Sequence, residues 1–160
     1  MSTRLRHELT YDAPADAVTA MLADKAFREE VCDFIGVTRK SVIIEPVGEG
    51  LHVTIDQWQP TYRVPSYAKK FVGEEVNIVQ REIWTTSLLG DLSISIPGKP
   101  GAMSGTVRIE EAHGVTTEAV DLNVKVGIPL LGGKIEDLIA GLLLKALKAE
   151  NKVGRDYLAR

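Results

Sequence analysis

Residues 116–150, "TTEAVDLNVKVGIPLLGGKIEDLIAGLLLKALKAE", change their repeat partway, and that change decides the fold. Up to Ile128, Val120, Leu122, Val124 and Val126 alternate with Asp121, Asn123 and Lys125, the two-residue repeat of a strand with one dry face. From Ile135 the apolar residues Leu138, Ile139, Leu142, Ala146, Ala149, Val153 and Tyr157 follow helical spacing, and Leu143, Leu144 and Leu147 widen the stripe. The spacing predicts a helix from about Lys134 to Leu158, roughly 37 Å long at 1.5 Å per residue. A rod this apolar needs a dry surface to lie on.

The residues upstream supply that surface. In "RLRHELTY", Leu5, His7, Leu9 and Tyr11 alternate with polar neighbours, predicting a first strand over residues 3–11. "DAPADAVTAMLAD" then predicts a short helix, with Pro14 near its start and Val18, Met21 and Leu22 at helical spacing. A second short helix follows, with Phe27, Val31 and Phe34 on one side and Gly36 as its stop. From Thr38 to Ile128 the repeat is that of strands: "TRKSVIIEPV", "LHVTIDQWQ", "EVNIVQREIWTTSLL", "DLSISI", "GTVRIEEA" and "TTEAVDLNVKVGI". Their links are short, and the glycines of "GEG" at 48–50 allow a tight hairpin.

Counting the first, seven strands are predicted. Hairpin-length links and one-sided alternation imply an antiparallel sheet, because parallel neighbours need crossovers and tend to be apolar on both faces. One link is different. "PTYRVPSYAKKFVGEE", between the third and fourth strands, carries Tyr67, Ala68, Phe71 and Val72 on a short amphipathic stretch begun by Pro65 and stopped by Gly73, and reads as a flap.

A dry sheet face must be covered by a second layer, and two short helices cannot cover seven strands, so the terminal rod has to lie across it. Such a curved wall need not close completely against one helix, which leaves room for a cavity. Gly141 in mid-helix either removes volume facing that wall or allows close packing of another backbone. The breadth of the stripe fits either burial against the sheet, which already requires it, or a dimer interface, and the pattern does not fix the oligomeric state.

The chain has 160 residues, 44% hydrophobic and 26% charged, which predicts one globular domain over residues 1–160 and argues against disorder. A net charge of −3 with scattered basic residues gives no support to nucleic-acid binding. The single cysteine, Cys32, cannot pair internally, which fits a reducing compartment and a buried hydrophobe. No signal peptide is visible at the start, so the expected location is cytoplasmic. Glu136, Asp137, Lys145, Lys148, Glu150 and Lys152 interrupt the rod too often for a membrane span. No metal, cofactor or nucleophile motif is present, and "GEG" joins two strands rather than opening an anion-binding helix.

The order of strand, two helices, six antiparallel strands and a long terminal helix resembles the α+β helix-grip fold of the START-like superfamily, which includes lipid-transfer domains, birch-pollen-allergen relatives and polyketide cyclases. Three segments, "FVGEEVNIVQREIW", "GKPGAMSGTVRIEEA" and "VKVGIPLLGGKIEDLI", are similar to signature stretches of an actinobacterial branch of that superfamily described only as a domain of unknown function. The resemblance implies a small hydrophobic or amphipathic ligand, lipid or polyketide-like, held between sheet and terminal helix, with the flap bordering the mouth.

The residues expected to line that space are His7, Gln57, Tyr67, Phe71, Glu82, Trp84, Leu122, Leu138, Gly141 and Leu142. His7 lies on the dry face and reads either as a core histidine or as a polar contact or base. Gln57 shares a face with Leu51, Val53 and Ile55. In "NIVQREIW" either Gln80, Glu82 and Trp84 face inward with Ile78, or Val79 and Ile83 do, and the pattern does not choose. In the first register Glu82 becomes a buried carboxyl expected to have a raised pKa. His52, His113 and Trp58 fall on turn or outer positions. Two other readings compete with the binding module: a cyclase or dehydratase-type enzyme using His7 and Glu82 as acid and base, and an interaction domain that docks a partner through Tyr67 and Phe71 of the flap.

Overall fold

In the computed structural model, which describes residues 2–160, each alternating stretch becomes a strand and each helical stripe a helix. The order is β1 (Thr3–Tyr11), α1 (Ala15–Leu22), α2 (Lys25–Ile35), β2 (Arg39–Val47), β3 (Gly50–Pro60), α3 (Ser66–Val72), β4 (Glu75–Thr86), β5 (Leu89–Ser95), β6 (Ala102–Ala112), β7 (Val115–Lys125) and α4 (Gly132–Leu158). The helix ends follow local chemistry. Pro14 opens α1, the Asp24 side chain accepts from the Ala26 amide to cap α2, and Gly36, at φ 91°, closes it. In the flap, α3 starts after Pro65 and stops at Gly73, as the spacing predicts.

The sheet is one antiparallel layer in the order β1-β7-β6-β5-β4-β3-β2. A single cross-strand row runs Leu5, Leu122, Gly105, Leu92, Glu82, Val53, Ile44, one residue from each strand. Because side chains alternate along every strand, this row and its neighbours two residues away form the inner face. The row settles the open register of β4. Ile78, Gln80, Glu82 and Trp84 face inward, and Ile83 is 48% exposed on the other side. The four helices all belong with the inner face, so the architecture is the α+β helix grip.

One helix departs from its sequence pattern. On α2 the buried residues are Phe27, Arg28 and Cys32, and Phe34 is 60% exposed. The stripe through Phe27, Val31 and Phe34 is turned aside because Arg28 takes an inward position to reach a carboxylate on the sheet.

Antiparallel order also sorts the links into two ends. At one end lie the chain from Thr61 through α3, the 96–101 link, and the 126–131 link into α4. At the other lie the tight turns at 48–49 and 113–114 and the last turns of α4. The flap is stitched at its base by the buried Thr61, whose amide donates to the Glu74 carbonyl at 3.0 Å and whose hydroxyl donates to the Gly73 carbonyl.

Candidate functional site

α4 is fully buried only near its ends, and between them its apolar side chains are partly buried against the core. At its start Ile135 and Glu136 are buried, and the Glu136 carboxylate accepts from the Val126 amide at 2.8 Å and from the Thr3 hydroxyl at 3.3 Å. At its far end Val153 and Gly154 are buried, Asn151 donates to the Thr10 carbonyl, and Tyr157 packs edge-on to Phe27 at 5.4 Å. Gly154 is there for close approach: a Cβ would fall 2.7 Å from Tyr11 Cε1 and 3.1 Å from Met21 Cε. Between residues 137 and 152 no residue is fully buried: Leu138, Ile139, Leu143, Leu144 and Leu147 are partly buried, Leu142 is 41% exposed, and at Glu150 it is a carboxyl oxygen that is shut from solvent.

Leucines of a soluble helix are normally buried, so a run of partly exposed ones marks surface kept open. The chain exposes 8884 Å² of surface, against about 7,900 Å² expected for a compact chain of 17.5 kDa, which agrees with an incompletely closed layer. Under the far half of α4 the space is filled by α1 and α2. The near half is bordered instead by α3, where Lys134 Nζ sits 4.1 Å from the centre of the Tyr67 ring.

The sheet wall is polar on one side. Arg28 donates from Nη1 and Nη2 to the two oxygens of Glu82 at 2.9 and 2.8 Å and from Nε to the Leu22 carbonyl at 2.8 Å; both partners of the ion pair are 4% exposed. Glu82 also accepts from Gln80 Nε2 at 2.6 Å and from Trp84 Nε1 at 2.8 Å. The Trp84 ring lies over Gly90, where a Cβ would come within 2.8 Å of it. Burial pushes the Glu82 carboxyl up, but the Arg28 charge and the bonds from Arg28, Trp84 and Gln80 outweigh it and hold the group below its ordinary value. The raised pKa expected for Glu82 is thus corrected: its partner, invisible in the strand's own sequence, reverses the sign. Farther along the same wall, Gln59 donates to the Gln57 carbonyl oxygen at 3.3 Å. The opposite wall, with Leu122, Val124, Met103 and Ile94, is apolar.

A second buried polar group joins β1, β7 and α4. Burial pushes the Glu118 carboxyl well above its ordinary value, and the neighbouring charge of Glu150 pushes it further. Glu150 is raised as well, chiefly by burial. The Tyr11 phenol is raised by burial and then by these two carboxyls, and among the described residues its oxygen and one oxygen of each carboxyl are buried without a hydrogen-bond partner.

The structure distributes the expected lining residues unevenly. Gln57, Glu82 and Trp84 come together on β3 and β4, with Glu82 and Trp84 in direct contact. His7 and Leu122 face inward on β1 and β7. His7 and Glu82 are separated by four strand spacings, about 19 Å along the sheet at roughly 4.8 Å per strand, and are not brought together. Tyr67 and Phe71 lie on α3, and Leu138 and Leu142 on the open stretch of α4. Gly141 faces away from the wall it was expected to line: it is exposed, nothing lies within 4 Å of an added Cβ, and at 100° per residue it falls 120° round the helix from Ile135 and Val153. Arg28, Glu118, Glu150 and Tyr11 were not anticipated, though Glu118 shares the alternation of Val120 and Leu122 and Glu150 lies three residues before Val153 on the apolar stripe.

Two recesses are defined beyond this space. A groove of about 490 Å³ runs past Tyr11, Asp12, Val115, Arg155 and Leu158 at the end of α4, and a pit of about 20 Å³ lies between Leu22, Leu51 and Trp84. Neither is under the middle of α4, whose apolar side chains are reached along the flank of the helix. Among the described residues no three His, Cys, Asp or Glu side chains are grouped to hold a metal ion, and no helix is long and apolar enough to cross a membrane.

Comparison with known proteins agrees with this fold. An aromatase/cyclase, Zhui, from Streptomyces sp. R1128 superposes with a TM-score of 0.71 at 14% identity, covering 100% of this chain and 95% of that one. TTHA0849 from Thermus thermophilus gives 0.67 at 17% identity, covering 98% and 97%. A START superfamily protein from Mycobacterium smegmatis gives 0.59 at 13% identity, covering 98% and 97%. At such identities these likenesses establish the START-like fold alone. No curated protein matches the sequence significantly. A family model described as "Protein of unknown function (DUF2505)" matches residues 6–158.

Proposed function

The chain belongs to the DUF2505 family, and we propose that it is a binding module, one domain over residues 1–160, that takes up a small amphipathic molecule between the curved sheet and α4. The observation that carries this reading is the helix fully buried near both ends with an apolar middle that is only partly buried. Leaving several leucines partly exposed forgoes a fraction of the about 1.5–3 kcal/mol that burying a fully exposed leucine gains, and a guest molecule recovers it. The apolar body of the guest lies against Leu138, Leu142 and the β5–β7 wall, and its polar part meets Gln57 and Gln80. Both amides retain hydrogen-bonding capacity after the contacts they make within the protein. The lone cysteine, buried and unpaired, supports a reducing compartment as the place of action.

No separate observation favours catalysis. His7 and Glu82 are too far apart to act on one bond, and Glu82 is ionised and fully engaged. The binding reading is tested by titrating a fluorescent apolar probe and by native mass spectrometry of the freshly purified protein. Saturable uptake of one probe molecule is expected, with a loss of about tenfold or more in the variant Leu138→Glu/Leu142→Glu while circular dichroism is unchanged. A folded wild-type protein that takes up no probe and carries no adduct mass refutes the proposal.

A further inference from the structure

The end of the sheet where α4 begins is basic, although the chain as a whole carries a charge of −3. Arg63 precedes α3, Lys69 and Lys70 lie on it, Lys99 is in the 96–101 link, Lys125 ends β7, and Lys134 is in the first turn of α4. Strand order places all six at one end, and a Cβ added at Gly101 would come within 4 Å of Lys125 and Val126, so the 96–101 and 126–131 links run side by side. Among the described residues none of the six is in an ion pair. The opposite end carries Asp12, Glu49 and Glu110.

Apolar side chains stand among these cations. Leu130, in the 126–131 link, is 105% exposed and holds a φ of 68°, a conformation leucine rarely adopts. Tyr62 is 68% exposed. The cations lie close to aromatic rings: Arg63 over Tyr62 at 5.3 Å, Lys70 over Phe71 at 5.4 Å and Lys134 over Tyr67 at 4.1 Å. A leucine held outward in an unfavourable backbone conformation gains nothing from water or from the core. Unpaired cations interleaved with exposed aliphatic and aromatic side chains match a lipid headgroup layer, where the cations meet phosphates and the apolar tips enter the acyl boundary.

We infer that this end of the molecule docks peripherally on an anionic bilayer surface, with Leu130 and Tyr62 inserted and the six basic residues over the headgroup phosphates. The contact is on the surface, since no helix of the described chain is long and apolar enough to span. The inference stands apart from ligand uptake, and its test separates the two.

Co-sedimentation of the full chain is measured with vesicles of phosphatidylcholine alone and with vesicles containing one-quarter phosphatidylglycerol. Binding is expected to the anionic vesicles and to fall steeply when salt shortens the screening length to about 3 Å near 1 M. Lys69→Glu/Lys70→Glu is expected to weaken the partition coefficient on the order of tenfold or more, and Leu130→Ser several-fold. Both variants keep wild-type circular dichroism and apolar-probe uptake, so a failure of docking is not confused with a failure of ligand binding. Absence of binding to either vesicle, or equal and salt-insensitive binding to both, overturns the inference. Retention on an acidic polypeptide with no vesicle binding, lost in the same variants, replaces the bilayer with an acidic protein partner.

Discussion

Replacing Arg28 with methionine removes the centre of the buried network. The side chain it deletes makes three hydrogen bonds, two of them to a carboxylate that is itself 4% exposed. What remains is an anion in a dry wall, still bonded by Trp84 and Gln80 but without its countercharge, together with an unpartnered Leu22 carbonyl. Deleting one partner of a buried pair costs about 3–5 kcal/mol, mostly as the penalty on the group left behind. At about 2–4 °C per kcal/mol for a chain of this size, Arg28→Met is expected to lower Tm by roughly 6–20 °C.

The assay is urea unfolding followed by Trp fluorescence, with thermal melts alongside. Arg28→Met/Glu82→Gln supplies the internal control. Glutamine keeps an acceptor for the indole and carries no charge, so the double variant is expected to recover most of the loss and lie within about 1–2 kcal/mol of wild type. The pH profile adds a sign. In the wild type Glu82 is held below the unfolded carboxyl value near 4.3, so its contribution is present above that pH and is lost as pH falls through the folded value. In Arg28→Met burial is opposed only by the bonds from Trp84 and Gln80, so the pKa rises and the loss of stability toward low pH is expected to weaken. A cost below about 1 kcal/mol for Arg28→Met, or no recovery in the double variant, refutes a dry, doubly bonded ion pair.

Glu118 has the opposite linkage: its folded pKa is raised, so its contribution is full below about 4.3 and is lost as pH climbs from there through the folded value. Glu118→Gln is therefore expected to flatten the decline of Tm on the alkaline side, and an unchanged slope would show that the carboxyl is not held neutral. Two glycines of α4 should answer alanine in opposite ways. Gly141→Ala, with open space around it, is expected to stabilise by up to about 1 kcal/mol, whereas Gly154→Ala forces Tyr11 and Met21 aside and should cost about 1–3 kcal/mol in urea melts. The Cys32 thiol, buried and pushed up to about 11, should resist a disulfide reagent at neutral pH until denaturant is added; rapid native labelling would place it at the surface.

The fold was readable because its rules are local and repeated. Alternation in "DLSISI" or "TEAVDLNV" names the dry face, Pro65 and Gly73 bracket α3, and the period change after Ile128 gives α4. The polar wall was only half readable. Glu82 and Trp84 stood out as polarity on an inward position, but which register β4 adopts depends on Arg28, fifty-four residues earlier and on another element. The sign of the Glu82 shift and the rotation of α2 that exposes Phe34 both follow from that one long-range pair. Glu150 looked like a charge that merely keeps the rod out of a membrane. Helical spacing could have placed it inward with Val153, but nothing local says that a carboxyl on β7 waits opposite it. Gly141 and Gly154 make the same point, since both are mid-helix glycines and only the face each presents tells open space from close contact.

These long-range polar pairs divide the grip into two unlike halves. Around the far half of α4, Arg28 with Glu82 and Glu118 with Glu150 and Tyr11 place ionisable groups where little water reaches, and Gly154 brings helix and strand into contact. Such groups tolerate little displacement, because a shift that separates them leaves bare charge in a dry interior. Around the near half the fastening is lighter: Ile135, Glu136 with the Val126 amide, and Lys134 over Tyr67. The leucines between are partly buried, and α3 meets the helix at its first turn. Motion that admits a guest therefore costs least where α4 begins, next to the flap and the basic links. On the reading argued above, the mouth of the binding space and the surface that meets a bilayer are the same end of the molecule, which lets an amphipathic guest pass between them without crossing water.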